Sequence, residues 1–195
     1  ATEDITKMAA MSPSETTYFD TSVAAHAKHR IAWLLILMFS STITGSIITK
    51  YKNAFAAIPL LVSFIPMLMD TGGNCGSQSS TLIIRGIALG EIRFSDLFRV
   101  MFKEFRVSLI VGVVLALANG LRILIMYRNA GLALVIGLSL VATVIISKLI
   151  GCLLPLFAKK LHMDPAIMAS PLITTLVDTC SILIYFNIAT RIFQL

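Results

Sequence analysis

The chain has 195 residues, 57% of them apolar and only 13% charged, with 16 Lys and Arg against 10 Asp and Glu for a formal net charge of +6. A soluble domain of this length carries about twice that charged share, so an ordinary water-soluble globule is excluded and an integral membrane protein is expected. A nucleic-acid partner would require a basic face interleaved with aromatics on a soluble surface, and the sequence offers none.

Residues 1–30 are polar and read as a cytoplasmic N-terminal segment. Within it Ser12-Pro13-Ser14-Glu15 predicts a turn or helix start, and Thr21 to Arg30 extends the first apolar run. The chain begins with Ala rather than Met, so a fragment of a longer protein is expected. His26 and His29 sit three apart beside Arg30 at a membrane boundary; without further ligands they read as interfacial polar residues rather than a metal site.

A membrane-spanning helix needs roughly 20 mainly apolar residues. Five stretches qualify: Ile31–Ile48, Asn53–Met69 with an apolar continuation past the glycines, Val107–Tyr127, Gly131–Ala158 and Pro165–Thr190. None alternates with the period of two that a membrane β-barrel strand requires. The fold class is therefore all-α integral membrane, with residues 31–195 forming a five-helix transmembrane domain. The first apolar run follows 30 polar residues, unlike a cleavable signal peptide, and no internal repeat is visible.

An inward N-terminus puts ten Lys and Arg on the inner side (Lys7, Lys28, Arg30, Arg85, Arg93, Arg99, Lys103, Arg106, Lys159, Lys160) and five outside (Lys50, Lys52, Arg122, Arg128, Arg191). That excess follows the positive-inside rule and predicts a multi-pass protein of the cell's inner (plasma) membrane with its C-terminus outside. The remaining cation, Lys148, lies in the fourth run toward its inner end, where it could snorkel. The three cysteines, Cys75, Cys152 and Cys180, suggest neither a zinc site nor a disulfide frame.

Eight of the ten acids fall in the N-terminal segment or between the apolar runs, Glu104 among them; Asp70 and Asp178 do not. Asp70 opens the stretch Asp70-Thr71-Gly72-Gly73-Asn74-Cys75-Gly76-Ser77-Gln78-Ser79-Ser80-Thr81, where three glycines after Pro66 predict an interrupted second helix. Irregular backbone at membrane depth is tolerated only against protein or a wet cavity. Asn74, Ser77, Gln78, Ser80 and Thr81 add uncharged oxygens, which suit a hard cation that keeps part of its water shell.

Asp178 falls at the midpoint of the fifth run, with Pro171, Thr174, Thr175 and Ser181 on its face. An ionised carboxylate there costs several kcal/mol unless something offsets it. Three partners could do so: a cation, a proton, or a basic residue on another helix, for which Lys148 is the candidate. Pro59, Pro66 and Pro171 are expected to open the two aspartate-bearing spans, which points to a shared site between the second and fifth; Pro155 lies near the inner end of the fourth.

The stretch Pro66 to Gly86, followed by Ala88-Leu89-Gly90-Glu91, resembles the signature of the MgtE-type magnesium channels. The tail from Asp164-Pro165-Ala166 through Ser170-Pro171-Leu172-Ile173-Thr174-Thr175-Leu176-Val177-Asp178 to Leu183-Ile184-Tyr185-Phe186 resembles the last helix of that family. The resemblance implies a homodimer, embedded among membrane lipids, whose pore lies at the interface and transports Mg²⁺. It implies that Asp178 anchors the hydrated ion, with Asp70, Gly73, Asn74, Ser77, Thr81 and Thr174 lining the same path. Family members usually carry a cytoplasmic acidic domain and a CBS pair joined by a connecting helix; residues before Arg30 would be a remnant of that helix in a truncated or pore-only form.

A proton- or sodium-coupled divalent cation exporter is the alternative, since a midplane carboxylate also suits a proton relay. An enzyme is not expected: Asp70-Thr71-Gly72 spells the aspartic-protease triplet, but no β context and no Gly-x-Gly-Asp accompany it.

Overall fold

A computed structural model describes residues 7–8, 19–168 and 170–194; the turn expected at Ser12-Pro13-Ser14-Glu15 lies outside them. The regular elements are helices α1 (Val23–Lys50), α2 (Lys52–Ala57), α3 (Ile65–Ala88), α4 (Leu97–Tyr127), α5 (Ala130–Lys160) and α6 (Ser170–Phe193). Short 3₁₀ segments, Pro59–Phe64, Phe94–Asp96 and Pro165–Met168, precede α3, α4 and α6.

Four helical segments, Val23–Lys50, Phe94–Tyr127, Ala130–Lys160 and Pro171–Phe193, are long and apolar enough to cross a membrane. Helix α3 is a fifth long helix, 24 residues or about 36 Å at 1.5 Å per residue, but its polar stretch sets it apart.

Local chemistry sets several boundaries. Ser22 caps α1 by accepting from the Ala25 N–H at 3.3 Å. Arg128, in the left-handed region at φ 49°, ends α4, and Asn129 caps α5 by accepting from the Leu132 N–H at 2.9 Å. This tight turn folds α4 back along α5, where Gly112 meets Val141 and Gly137 meets Ala116.

Helix α3 runs parallel to α5 and antiparallel to α6, packing against both. The buried core at one end combines Leu61, Phe64, Leu68, Ile136, Tyr185 and Phe186. There the Tyr185 hydroxyl donates to the Leu61 carbonyl at 2.8 Å, which ties the 3₁₀ segment to α6. Helix α1 lies along α6, joined by Thr44 and Thr179 (Oγ1 to Oγ1, 2.9 Å) and by Tyr51 stacked on Phe186.

The expected helix interruption is displaced. The Asn53–Met69 run is not one span: it divides into α2, the 3₁₀ segment and the first turn of α3, while the glycine stretch itself is continuous helix. Each glycine costs roughly 0.5–1 kcal/mol relative to alanine in a helix interior, but tertiary packing outweighs it. A methyl on Gly72 would lie 2.7 Å from Val177 Cγ1, and one on Gly76 would lie 2.6 Å from Ile173 Cγ2. The glycines bring helices together rather than breaking one.

The prolines also differ from expectation. Pro66 and Pro171 each occupy the second position of a helix, where the missing N–H has no intrahelical role; Pro59 opens the 3₁₀ segment, and Pro155 is inside α5. Helix α4 starts ten residues before the expected Val107, so Arg99, Lys103, Glu104 and Arg106 stand on a helix rather than in a connection. In the fifth run, Pro165–Met168 is a separate turn, and Asp178 falls eight residues after Ser170 in the 24-residue α6.

The contact between α3 and α5 is backbone on backbone: a side chain at Gly151 would collide with the Gly76 carbonyl. We predict that Gly151→Val lowers stability by at least ~1–3 kcal/mol, whereas Gly45→Ala in α1, with open space around it, is neutral or slightly stabilising. Thermal unfolding of the two purified variants in detergent distinguishes these outcomes.

Candidate functional site

Viewed down α3 at about 100° per residue, the helix has two faces. Leu68, Gly72, Cys75, Gly76, Ser79 and Ile83 are buried against the bundle. Asp70, Asn74, Gln78, Thr81 and Arg85 are exposed and Ser77 is half-buried, all within one sector of roughly 100°. The exposed surface of α1 and α4 is built from residues such as Leu34, Phe39, Ile110 and Leu117. The polar stripe of α3 does not match that surface, and hydrocarbon cannot solvate it.

Helix α6 borders the stripe. A methyl on Gly73 would lie 2.9 Å from Thr174 Cγ2, so the lack of a side chain at Gly73 is what seats Thr174. The Thr174 and Thr175 hydroxyls both donate to the Pro171 carbonyl at 2.9 Å. One turn beyond Thr174, Asp178 is half-buried, and because α3 and α6 are antiparallel it stands level with Asp70, one turn before Gly73. No described residue gives either carboxylate an ion pair.

The expected site residues therefore divide plainly. Asp70 and Asp178 share a neighbourhood, Gly73 and Thr174 touch, and Asn74, Ser77 and Thr81 continue along the same face of α3. Among the described residues no group of three or more His, Cys, Asp or Glu side chains converges. One chain thus brings together two carboxylates and a row of neutral oxygens, an incomplete shell for any divalent cation.

Beyond Thr81 and Arg85 a pocket of about 420 Å³ opens, bordered also by Met8, Lys159 and Asp164. Lys7 donates to Asp164 at 2.7 Å and the Ala166 N–H donates to it at 2.9 Å. The Lys7 hydrogen bond, ahead of the Ala166 one, holds the Asp164 carboxyl below its ordinary value of 3.8.

A second polar cluster corrects two expectations. Glu104, taken for a peripheral acid, is buried in α4, and Lys148 does not snorkel but is buried in α5, at 8% and 5% exposure. Ser79 of α3 lies between them: its hydroxyl donates to Glu104 Oε2 at 2.6 Å, and Lys148 Nζ donates to Ser79 Oγ at 3.4 Å. Lys148 therefore faces Glu104 through Ser79 rather than pairing with Asp178. Spacing carried the signal: Glu104, Ser108 and Gly112 in α4, and Ser139, Thr143, Ser147 and Gly151 in α5, recur every four residues and are all buried.

The family model MgtE, described as a divalent cation transporter, matches residues 65–188, from the first residue of α3 into α6. The chain is 40% identical over 190 residues to the magnesium transporter MgtE of Bacillus subtilis, covering 97% of this chain and 42% of that protein. It is 35% identical over 196 residues to the magnesium transporter MgtE of Thermus thermophilus, covering 100% and 43%, and 34% identical over 164 residues to that of Enterococcus faecalis, covering 84% and 36%. The chain thus spans about two fifths of the length of these curated relatives.

Two outcomes follow from the geometry. Gly73→Ala should destabilise by about 1–3 kcal/mol through its clash with the Thr174 methyl, and Thr174→Ser should recover most of that loss, as a double-mutant cycle of thermal unfolding would measure. Because Asp164 has a lowered pKa, its stabilisation by Lys7 is complete above pH 3.8 and is lost as pH falls through the lower folded value. Asp164→Asn should accordingly speed tryptic cleavage after Lys7 at neutral pH.

Proposed function

The chain belongs to the MgtE family of divalent cation transporters, and from that premise we propose that it carries Mg²⁺ across a membrane along a path between α3 and α6, completed by a second copy of the chain. The observation that carries this reading is the pair Asp70 and Asp178: two carboxylates each one helical turn from the Gly73–Thr174 contact, at the same level because α3 and α6 are antiparallel, with no cationic partner among the described residues. A carboxylate within a membrane costs several kcal/mol unless a charge of opposite sign offsets it. Lys148, the basic residue deep in the bundle, faces Glu104 through Ser79 instead, which leaves a proton or a mobile cation as the partner, and the row of neutral oxygens beside the pair favours the cation.

The donor set favours a hydrated ion. Mg²⁺ releases its waters reluctantly, so its shell is best met by oxygens that accept from, or donate to, those waters. Asp178 supplies the anchoring charge, and Asp70 adds to the local negative field. Asn74, Ser77 and Thr81 supply neutral oxygens along the stripe, while Gly73 lets Thr174 and α6 close on it from the side. Two-fold symmetry would bring a second Asp178 to the same axis, which supplies the charge that a single chain lacks.

The same dimer would cover the polar stripe of α3, leaving the apolar faces of α1 and α4 to lipid. Crossing by α1, α3, α4, α5 and α6 would put the termini on opposite sides, and the distribution of Lys and Arg supports an inward N-terminus.

Mg²⁺ uptake into proteoliposomes should be passive and follow the membrane voltage in the wild type. In Asp178→Ala it should fall roughly tenfold or more. Absence of uptake in the wild type, or normal uptake in Asp178→Ala, would overturn the proposal. Uptake driven against the Mg²⁺ gradient by a proton or sodium gradient would instead favour coupled transport.

A further inference from the structure

We propose that Glu104, Ser79 and Lys148 form a positioning bridge that fixes the rotation of α3 about its own axis and so decides which of its side chains meet the ion path. The inference rests on the reading that the α3 stripe lines that path.

Ser79 lies on the back of α3, roughly 150° around the helix from the middle of the stripe, and is fully buried. Its hydroxyl is used in both senses. The proton goes to Glu104 of α4 at 2.6 Å, and an oxygen lone pair receives the Lys148 ammonium of α5 at 3.4 Å. One side chain on α3 is thereby held from two helices that come from different directions. Turning α3 by one residue, about 100°, would carry the hydroxyl away from both charges and leave them without their link.

The bridge has a task because of what surrounds it. On its buried face α3 presents Gly72, Gly73 and Gly76 to α5 and α6. The glycine notches seat Val177, Thr174 and Ile173 of α6, which fixes how closely the helices approach through non-directional packing, and the bridge adds a directional contact to α4 and α5 on the other side. A buried polar contact has a steep angular dependence and is an effective register device in an apolar setting. Small rotations matter on the opposite face, where Asn74, Gln78 and Thr81 would turn away and Cys75 or Leu82 would turn in.

Glu104 and Lys148 are positioning residues in this account: they act on the ion through α3 and do not touch it. Their opposite charges also explain why two ionisable groups can be buried in an apolar bundle, since each offsets the other across one hydroxyl.

The test uses Ser79→Ala, which removes the link but leaves the two charges free to pair, and Ser79→Thr, which keeps the hydroxyl. Each is combined with single cysteines at positions 74, 75, 78, 81 and 82 in a background lacking Cys75, Cys152 and Cys180. A membrane-impermeant thiol reagent should label positions 74, 78 and 81 in the wild type and in Ser79→Thr. In Ser79→Ala the labelling should spread to 75 and 82, and Mg²⁺ flux should fall roughly tenfold while the unfolding midpoint stays near that of the wild type. Paired replacement, Glu104→Met with Lys148→Met, should restore the midpoint lost in either single variant yet keep the altered labelling and low flux. Wild-type labelling in both Ser79→Ala and the paired variant would overturn the proposal. A wild type that carries no Mg²⁺ would refute the transport reading alone, and the labelling pattern would still decide the bridge.

Discussion

The backbones of α3 and α5 touch where Gly151 meets the Gly76 carbonyl, a contact that admits nothing larger than hydrogen at Gly151, while Gly76 is closed on its other side by Ile173 of α6. Dispersion between atoms falls away within an ångström, so this approach, repeated at Gly72 and Gly73 toward α6, is what holds a polar helix inside an apolar bundle. It also dictates the rest of α3. With glycines on the inner face, the side chains that carry oxygen and charge are left on the outer one, and Ser79 is brought between two helices that each present a buried charge.

Two pairs of ionisable groups occupy the bundle, and they are treated in opposite ways. Glu104 and Lys148 are of opposite sign and joined through a hydroxyl, so the chain neutralises them itself. Asp70 and Asp178 are of like sign, stand level with one another a turn from the Gly73–Thr174 contact, and have no cationic partner among the described residues. A fold that can neutralise one buried charge with another, and does not do so at Asp178, leaves room for a charge that arrives from outside. That contrast, more than the presence of either aspartate alone, connects the architecture to cation transport.

Much of this was legible in the sequence. The apolar runs located the long helices because hydrocarbon demands length and apolarity together. Asp70 and Asp178 stand out because so few acids interrupt those runs, and Asn74, Ser77 and Thr81 are legible as uncharged oxygens; the stripe they form is not, because it requires the continuous helix that the glycines obscure. The glycine stretch misleads because helix propensity alone leaves out the neighbouring helices: Gly72 and Gly76 face Val177 and Ile173, contacts formed across 105 and 97 residues of chain. Pro66 and Pro171 misled because a proline breaks an interior but suits a first turn, and hydropathy does not locate that turn. Glu104 was missed because Arg99, Lys103 and Arg106 around it are exposed; only the recurrence of small residues every four positions marks the side of α4 that turns inward.

The central claim is that a hydrated divalent cation completes the charge balance at Asp178. Anomalous scattering from Mn²⁺ in crystals of the protein tests it directly, because Mn²⁺ takes oxygen ligands as Mg²⁺ does and its position can be located independently of any assumption about ligands. A peak is expected between α3 and α6 beside Asp178, separated from the carboxylate by a layer of water and lost in Asp178→Ala. A strong peak elsewhere in the bundle, with none at Asp178, would contradict it.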